Sequence, residues 1–322
     1  MNVLLLEPKA SCAATRWPWP AVVGALLWLP AVPLLELGWG AAMLLLAVLV
    51  LVPLALGLVR EVEPETDVLD WLHLPAAMLL SAAYAFPPGW LPALLAVPWL
   101  LFTAAVGWWG LQRFWRYGIR RPDHAGLTAA LLYLPVGGAW AVLSRLGARP
   151  LEFSDVIVQA TAVHFHYAGF VLPIVAGLQA RHFHNTWTTL TVWGAILGVP
   201  LVAVGITLSA LGVKQVELPA AWLMALAGLS VAVLQIRLAR GACWVGALLF
   251  AASGLSLLFG MVLAAIYALG VATGGNWLDN SQMLAYHGAV NALGFALPAL
   301  LAWNRLLTLA AIDDGGENHH SK

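Results

Sequence analysis

Residues 41–59 read AAMLLLAVLVLVPLALGLV, a run of nineteen residues without a single charged or hydrogen-bonding side chain. About 20 consecutive apolar residues are enough for a helix to cross the hydrocarbon core of a bilayer. The rest of the chain has the same character, because its 322 residues are 62% hydrophobic and only 9% charged. Soluble domains carry about 25% charged residues. The sequence therefore predicts an integral membrane protein.

The apolar runs are continuous rather than alternating with polar residues, which favours helices over the strands of a barrel. We therefore expect an all-α fold, a polytopic transmembrane helical bundle of about ten spans. Residues 1–312 form a single transmembrane domain, and residues 313–322, DDGGENHHSK, form a disordered polar tail. The predicted spans are 18–36, 39–59, 68–87, 90–112, 125–146, 155–180, 187–211, 218–238, 242–270 and 281–308.

The basic residues predict how the chain is oriented. If the N-terminus is cytoplasmic, twelve of the fifteen Lys and Arg residues fall on the cytoplasmic side, and only Arg145, Arg149 and Lys214 fall outside. Positively charged residues concentrate in cytoplasmic loops. We therefore expect a multi-pass protein of the inner (cytoplasmic) membrane with both termini in the cytoplasm. The sixth and tenth spans then both begin outside and run inward.

The sixth span carries one polar stripe. Asp155, Gln159, His166 and Pro173 step by four, seven and seven residues, so they share one face of a regular helix. His166 lies about 16 Å along the helix from Asp155, near the middle of the bilayer. His164 points about 200° away from His166 and lies on another face.

The tenth span carries a second stripe, in which Asn280, His287, Asn291 and Pro298 step by seven, four and seven residues. His287 lies about 12 Å and Asn291 about 18 Å from the outer end of this span. Both stripes therefore occupy the same slice of the membrane, in its outer half. Histidines inside a membrane are rare and usually face the interior of a bundle.

The two stripes predict that the sixth and tenth helices pack together, with His166 and His287 facing a shared polar cavity. Both stripes end alike, in AGFVLP (168–173) and LGFALP (293–298), where the glycine permits close helix approach. The likeness is open to two interpretations, a remnant of a parallel repeat or coincidence in an apolar chain. A hydrogen bond that serves packing only, such as one from His166 to Asn291, is the alternative to a functional cavity.

Three functional classes remain open. The first is a cofactor site for heme or a transition metal, since imidazole is a common ligand of both. The second is a membrane enzyme (an isomerase, cyclase or hydrolase) that acts on a lipid-soluble small molecule by acid–base catalysis. The third is a carrier for a small solute or a proton. The expected partners are the lipid bilayer and a lipid-soluble molecule, and the formal net charge of zero gives no sign of nucleic acid binding.

Each class draws on the same polar residues. The candidate catalytic residues are His166, His287 and Asn291; the candidate cofactor ligands are His164, His166 and His287; the candidate substrate-binding residues are Asp155, Gln159 and Asn280.

Two stretches, QATAVHFHYAGFVLP and YHGAVNALGFALP, resemble the YndJ-like family of bacterial integral membrane proteins. The resemblance covers the middle and C-terminal spans, from about residue 120 onward. It implies a polytopic bacterial membrane protein and brings no established activity with it. No catalytic residue is therefore assigned by resemblance.

The orientation can be tested with reporter fusions. Green fluorescent protein fused to the C-terminus should fluoresce, and alkaline phosphatase inserted in the 147–154 loop should be active, because the distribution of basic residues places them inside and outside, respectively. Alkaline phosphatase activity at the C-terminus would contradict the even number of spans.

Overall fold

A computed structural model of the chain describes residues 17–62, 68–213, 215–275 and 277–317, which form ten helices and no strands. The helices are α1 (Trp19–Leu34), α2 (Trp39–Leu46, Ala47–Leu51 and Val52–Val62), α3 (Val68–Ala83), α4 (Trp90–Tyr117), α5 (Pro122–Leu146), α6 (Asp155–His166, Tyr167–Val171 and Leu172–Phe183), α7 (Thr186–Ala210), α8 (Glu217–Ala239), α9 (Trp244–Thr273) and α10 (Asn280–Gln282, Met283–Gly288, Val290–Ala296 and Leu297–Glu317).

The prediction of an all-α transmembrane bundle is confirmed. Eight of the described helices are long and apolar enough to cross a membrane, whereas α1 and α3 have 16 residues each. A helix of that length is about 24 Å long, somewhat shorter than a hydrocarbon core of about 30 Å. Helix α10 continues to Glu317, inside the segment predicted to be a disordered tail; residues 318–322 lie outside the described part of the chain.

The opening stretch of sequence forms α2, which lies at the centre of the bundle. In the most apolar part of α2, 94% of the residues are buried inside the protein. In the most apolar part of α9, only 28% are buried. Helix α9 therefore turns most of its apolar surface to lipid. Large aromatic residues at helix starts also face outward, since Trp90 and Trp244 are both 74% exposed.

Helix α2 has no polar side chain between residues 41 and 59, so its neighbours bind its backbone instead. Side chains from four different helices donate hydrogen bonds to backbone carbonyl oxygens of α2. These bonds are Trp28 Nε1 to Ala42 at 2.8 Å, Tyr167 Oη to Met43 at 2.9 Å, His73 Nε2 to Val48 at 2.8 Å and Asn304 Nδ2 to Leu54 at 3.2 Å. The rotation of α1, α3, α6 and α10 about the central helix is fixed in this way.

Three helices contain a wider, π-helical turn that ends two residues before a proline. These turns are Ala47–Leu51 before Pro53, Tyr167–Val171 before Pro173 and Val290–Ala296 before Pro298. Proline lacks an N–H group and its ring clashes with the carbonyl four residues earlier, so a widened turn relieves the clash. A proline alone is not sufficient to produce a wide turn, because regular α-helices contain Pro75, Pro98, Pro135 and Pro200. The similar letters AGFVLP and LGFALP thus mark the same local structure in α6 and α10.

Helices α5 and α6 approach each other closely at Gly126. A Cβ atom added there would lie 2.7 Å from the carbonyl oxygen of Pro173 and 3.0 Å from the Cα atom of Gly177. Both neighbours are backbone atoms, so neither can move aside as a flexible side chain would. The close approach places the second half of α6, around Pro173 and Gly177, directly against α5.

Gly126→Val should lower the stability of the protein, because the new side chain forces α5 and α6 apart. The expected loss is about 1–3 kcal/mol, typical of overpacking, measured as a decrease in Tm in mild detergent. Gly38→Val is the matched control, since no atom lies within 4 Å of a Cβ at that position. Equal Tm values for the two variants would contradict the close crossing.

Candidate functional site

His166 is fully buried, and both nitrogens of its ring are used by the protein. Nδ1 donates a hydrogen bond to the carbonyl oxygen of Ala162 at 2.8 Å. Nε2 accepts a hydrogen bond from the indole Nε1 of Trp99 in α4 at 3.1 Å. Indole N–H is only a donor, so these two bonds define a neutral imidazole with the proton on Nδ1. His166 has no nitrogen left for a ligand.

The surroundings of His166 are closely packed. The ring stacks on Trp99 with 5.8 Å between ring centroids and an interplanar angle of 20°, and Trp99 stacks in turn on Phe102. On the other side lies Gly137 of α5, where an added Cβ would be 2.7 Å from His166 Nδ1. The histidine therefore joins α6 to α4 and α5.

The predicted pairing of His166 with His287 is thus corrected by the structure. Asp155, Gln159 and His166 do follow one side of α6, but their partners do not come from α10. His166 meets Trp99 of α4 and Gly137 of α5, and Gln159 bonds to Ser144 of α5 and to Tyr84. Helical periodicity identifies residues that share a face and does not identify the helix that the face meets.

Gln159 and Asp155 lie at the end of the bundle where α5 finishes and α6 begins. Gln159 accepts a hydrogen bond from Ser144 Oγ at 2.9 Å and donates one to Tyr84 Oη at 2.9 Å. Asp155 forms a two-pronged ion pair with Arg149, at 2.7 and 2.6 Å. Asp155 and Gln159, two of the three predicted substrate-binding residues, line a surface cavity of about 310 Å³, and His287 of α10 is not part of its lining.

His164, rather than His166, is the histidine that faces α10. It is half-buried and lies within electrostatic range of His287. Its Nε2 atom is buried and has no hydrogen-bond partner among the described residues. The contact between α6 and α10 involves the wide turns Tyr167–Val171 and Val290–Ala296. A polar site shared by the two helices stays a prediction, and the histidine of α6 on that side is His164 rather than His166.

His287 is held by α9 and by its own helix. Its Nδ1 donates a hydrogen bond to the carbonyl oxygen of Gly260 in α9 at 2.8 Å. The amide Nδ2 of Asn291 lies 3.2 Å from both ring nitrogens, and it donates to Nε2, which carries no proton. Asn291 Oδ1 is buried without a hydrogen-bond partner in the described part of the protein. The absence of a side chain on Gly260 makes room for Asn291. The backbone of Asn280 begins α10, and its side chain lies outside the described residues.

Metal binding depends on how many ligand side chains the fold brings together. Within residues 17–62, 68–213, 215–275 and 277–317, no group of three or more His, Cys, Asp or Glu residues is arranged to hold a metal ion. Transition-metal sites in proteins usually have at least three protein ligands. Heme iron needs only one or two axial histidines, so heme binding requires fewer protein ligands than a site for a single metal ion.

A buried polar cluster elsewhere in the bundle was not predicted from sequence. Gln179 of α6 donates hydrogen bonds to the Val231 carbonyl at 3.0 Å and to Gln235 Oε1 of α8 at 3.3 Å. Gln235 donates in turn to Ser253 Oγ of α9 at 3.3 Å. The available signal was one glutamine near the end of each of two apolar helices, Gln179 in α6 and Gln235 in α8. The cluster ties α6, α8 and α9 together.

The two histidines of α6 should respond differently to the same substitution. His166→Leu leaves the indole N–H of Trp99 without an acceptor, so it should destabilise the protein by about 1–3 kcal/mol. His164→Leu removes a buried nitrogen that has no partner among the described residues, so the free energy of unfolding should stay unchanged or increase. Thermal unfolding of both variants in the same detergent measures the difference, and a larger loss for His164→Leu would contradict the assignment.

Comparisons with known proteins were consistent with this architecture. A family model described as YndJ-like protein matches residues 42–295, which extends further toward the N-terminus than the resemblance noted from sequence. The uncharacterized membrane protein YndJ of Bacillus subtilis (strain 168) is 30% identical over 210 residues, 65% of this chain and 38% of that protein. The match thus spans well under half of the length of that relative. No solved structure matches the chain.

Proposed function

The chain belongs to the YndJ-like family of membrane proteins, and we propose that it binds a lipid-soluble small molecule between α6 and α10, with His164, His287 and Asn291 as the contact residues. We further propose that His164 and His287 exchange a proton with that molecule. This places the protein among membrane-embedded acid–base enzymes.

One observation carries the proposal. His164 Nε2 and Asn291 Oδ1 are both buried without a hydrogen-bond partner among the described residues. Each unsatisfied group costs about 1–3 kcal/mol in a folded protein, and the lipid interior offers no water to compensate. A ligand that supplies hydrogen bonds at this position removes the cost. The pair is therefore better explained as a binding site than as packing.

The donor pattern also specifies the ligand. An amide oxygen accepts hydrogen bonds and never donates them, and the free nitrogen of a neutral imidazole can accept one. A hydroxyl group can donate to either atom. Since the site lies within the membrane-spanning part of α6 and α10, the expected ligand is an apolar molecule that carries a hydroxyl group.

His287 is oriented for proton exchange. Its Nδ1–H bond to the Gly260 carbonyl fixes the tautomer, and Nε2 accepts a hydrogen bond from the Asn291 amide. Nε2 acts as a base when that amide turns to the bound molecule. Histidine is the side chain most often used as a general acid or base because its protonated and neutral forms are close in free energy near neutral pH. His164 Nε2 supplies a second exchangeable position in the same site.

A heme site is the second candidate, and one observation favours it. Histidines that bind a metal through Nε2 usually donate Nδ1–H to a carbonyl or carboxylate, as His287 does to Gly260. Iron at Nε2 would take the place of the Asn291 amide. A site for a single metal ion has less support, because the described residues offer no third ligand.

The basic-residue distribution leads us to propose the cytoplasmic membrane as the location, with both termini inside.

Analysis of what copurifies with the protein tests the proposal. The wild type, His164→Leu and the control His124→Gln, altered at the start of α5 away from the site, are extracted into lipid nanodiscs and purified. We expect mass spectrometry to find a hydroxyl-bearing apolar compound on the wild type and on His124→Gln, and to find it depleted on His164→Leu.

The same samples separate the candidates. Identical compounds in equal amounts on all three proteins would contradict binding at His164. A Soret absorption band that is present in the wild type and absent from both His164→Leu and His287→Leu would select heme instead.

A further inference from the structure

A second site lies at the end of the bundle where α5 finishes and α6 begins. The cavity there has a volume of about 310 Å³, which is within the range of small-molecule sites. Its polar lining consists of Ser144, Arg145, Arg149, Asp155 and Gln159. None of these residues takes part in the His164–His287 site.

Arg145 is the decisive group in this cavity. It lies in the last turn of α5 and is only 9% exposed. Its Nε atom is buried without a hydrogen-bond partner, and no carboxylate of the described residues forms an ion pair with it. The nearby carboxylate of Asp155 is already paired with Arg149. The cavity lining therefore holds one positive charge that the described residues leave uncompensated.

The position of Arg145 is fixed by a chain of contacts. Its guanidinium carbon lies 4.1 Å from the ring centroid of Tyr84, a cation–π contact. The Tyr84 hydroxyl is held by Gln159, and Gln159 is held by Ser144. The ring contact covers one face of the guanidinium and leaves its edge, where the N–H donors lie, without an anion. A buried charge is costly unless it is paired.

We propose that Arg145 binds the phosphate group of a phospholipid headgroup in this cavity. The planar guanidinium matches the oxygens of a phosphate with two parallel hydrogen bonds. Arg145 lies one residue before the end of a membrane-spanning helix, and Asp155 is the first residue of the next one. The cavity is thus at the level of the headgroups, where lipid phosphates are the most abundant anions.

Arg149 provides a rim for the site. Its side chain is 61% exposed and is bonded to Asp155, which is 65% exposed. An exposed ion pair of this kind contributes little stability, so Arg149 can turn toward a bound phosphate at small cost. The lipid then bridges the loop between α5 and α6 to the end of α3 through Tyr84.

Thermal unfolding of the full chain in dodecyl maltoside tests the proposal. Three additives are compared: dioleoylphosphatidylglycerol, dioleoylglycerol (the same chains without phosphate) and sodium phosphate. The proteins are the wild type, Arg145→Gln, Arg145→Lys and the control Arg121→Gln, whose arginine is paired with Asp123 at the other end of α5.

Phosphatidylglycerol should raise the Tm of the wild type and of Arg121→Gln, and should leave that of Arg145→Gln unchanged. Arg145→Lys keeps the charge and loses the two-pronged geometry, so it should need about tenfold more lipid for the same rise. Dioleoylglycerol and sodium phosphate should have no effect that depends on residue 145.

The proposal is overturned if Arg145→Gln responds to phosphatidylglycerol like the wild type, or if dioleoylglycerol gives the same rise. A rise with sodium phosphate that Arg145→Gln abolishes would assign the site to free phosphate and overturn the lipid source. If Arg145→Gln does not fold, Arg145→Lys tests the proposal instead. If Arg145→Lys needs no more phosphatidylglycerol than the wild type for the same rise in Tm, the guanidinium–phosphate contact is contradicted.

Discussion

The hydrogen bond from the indole of Trp99 to Nε2 of His166 fixes the rotation of α6 within the bundle. Once His166 is buried against α4 and α5, the residue two positions earlier must point about 200° away. His164 therefore points toward His287 of α10. Two histidines separated by one residue thereby take different roles. One is a neutral packing group, and the other faces the site that we propose to be functional.

The central helix explains why so much of the packing depends on backbone atoms. Helix α2 is buried and offers no polar side chain over most of its length, so Trp28, Tyr167, His73 and Asn304 bind its carbonyl oxygens instead. In a membrane, hydrogen bonds and close packing replace the hydrophobic effect as the forces between helices. The Val48 carbonyl that His73 binds lies within the wide turn of α2.

The sequence predicted the ten helices, because apolar runs long enough for a bilayer and the residues that separate them are visible in the chain. It also predicted that Asp155, Gln159 and His166 share a face. It did not predict that Trp99 would donate a hydrogen bond to His166, because helical periodicity does not identify the neighbouring helix. The Gln179–Gln235–Ser253 cluster was missed for the same reason, since the sequence of one helix does not show which helix its polar residue meets.

The wide turns connect local sequence to the proposed site. Those in α6 and α10 end two residues before Pro173 and Pro298, and they lie where the two helices touch. Turns of this kind often occur at functional sites because they change the direction of side chains and weaken backbone pairing. His164 lies three residues before the turn in α6, and His287 lies in a further wide turn of α10, Met283–Gly288.

The protonation state of His166 is the most direct measure of this account. Solid-state NMR of protein in lipid bilayers with ¹⁵N-labelled histidine, assigned by difference from His166→Leu, reports which ring nitrogen carries the proton. We predict that His166 is protonated on Nδ1 only, with Nε2 accepting from Trp99, and that this state does not change with pH around neutrality. A His166 ring that is protonated on Nε2, or that gains a proton in that range, would contradict it.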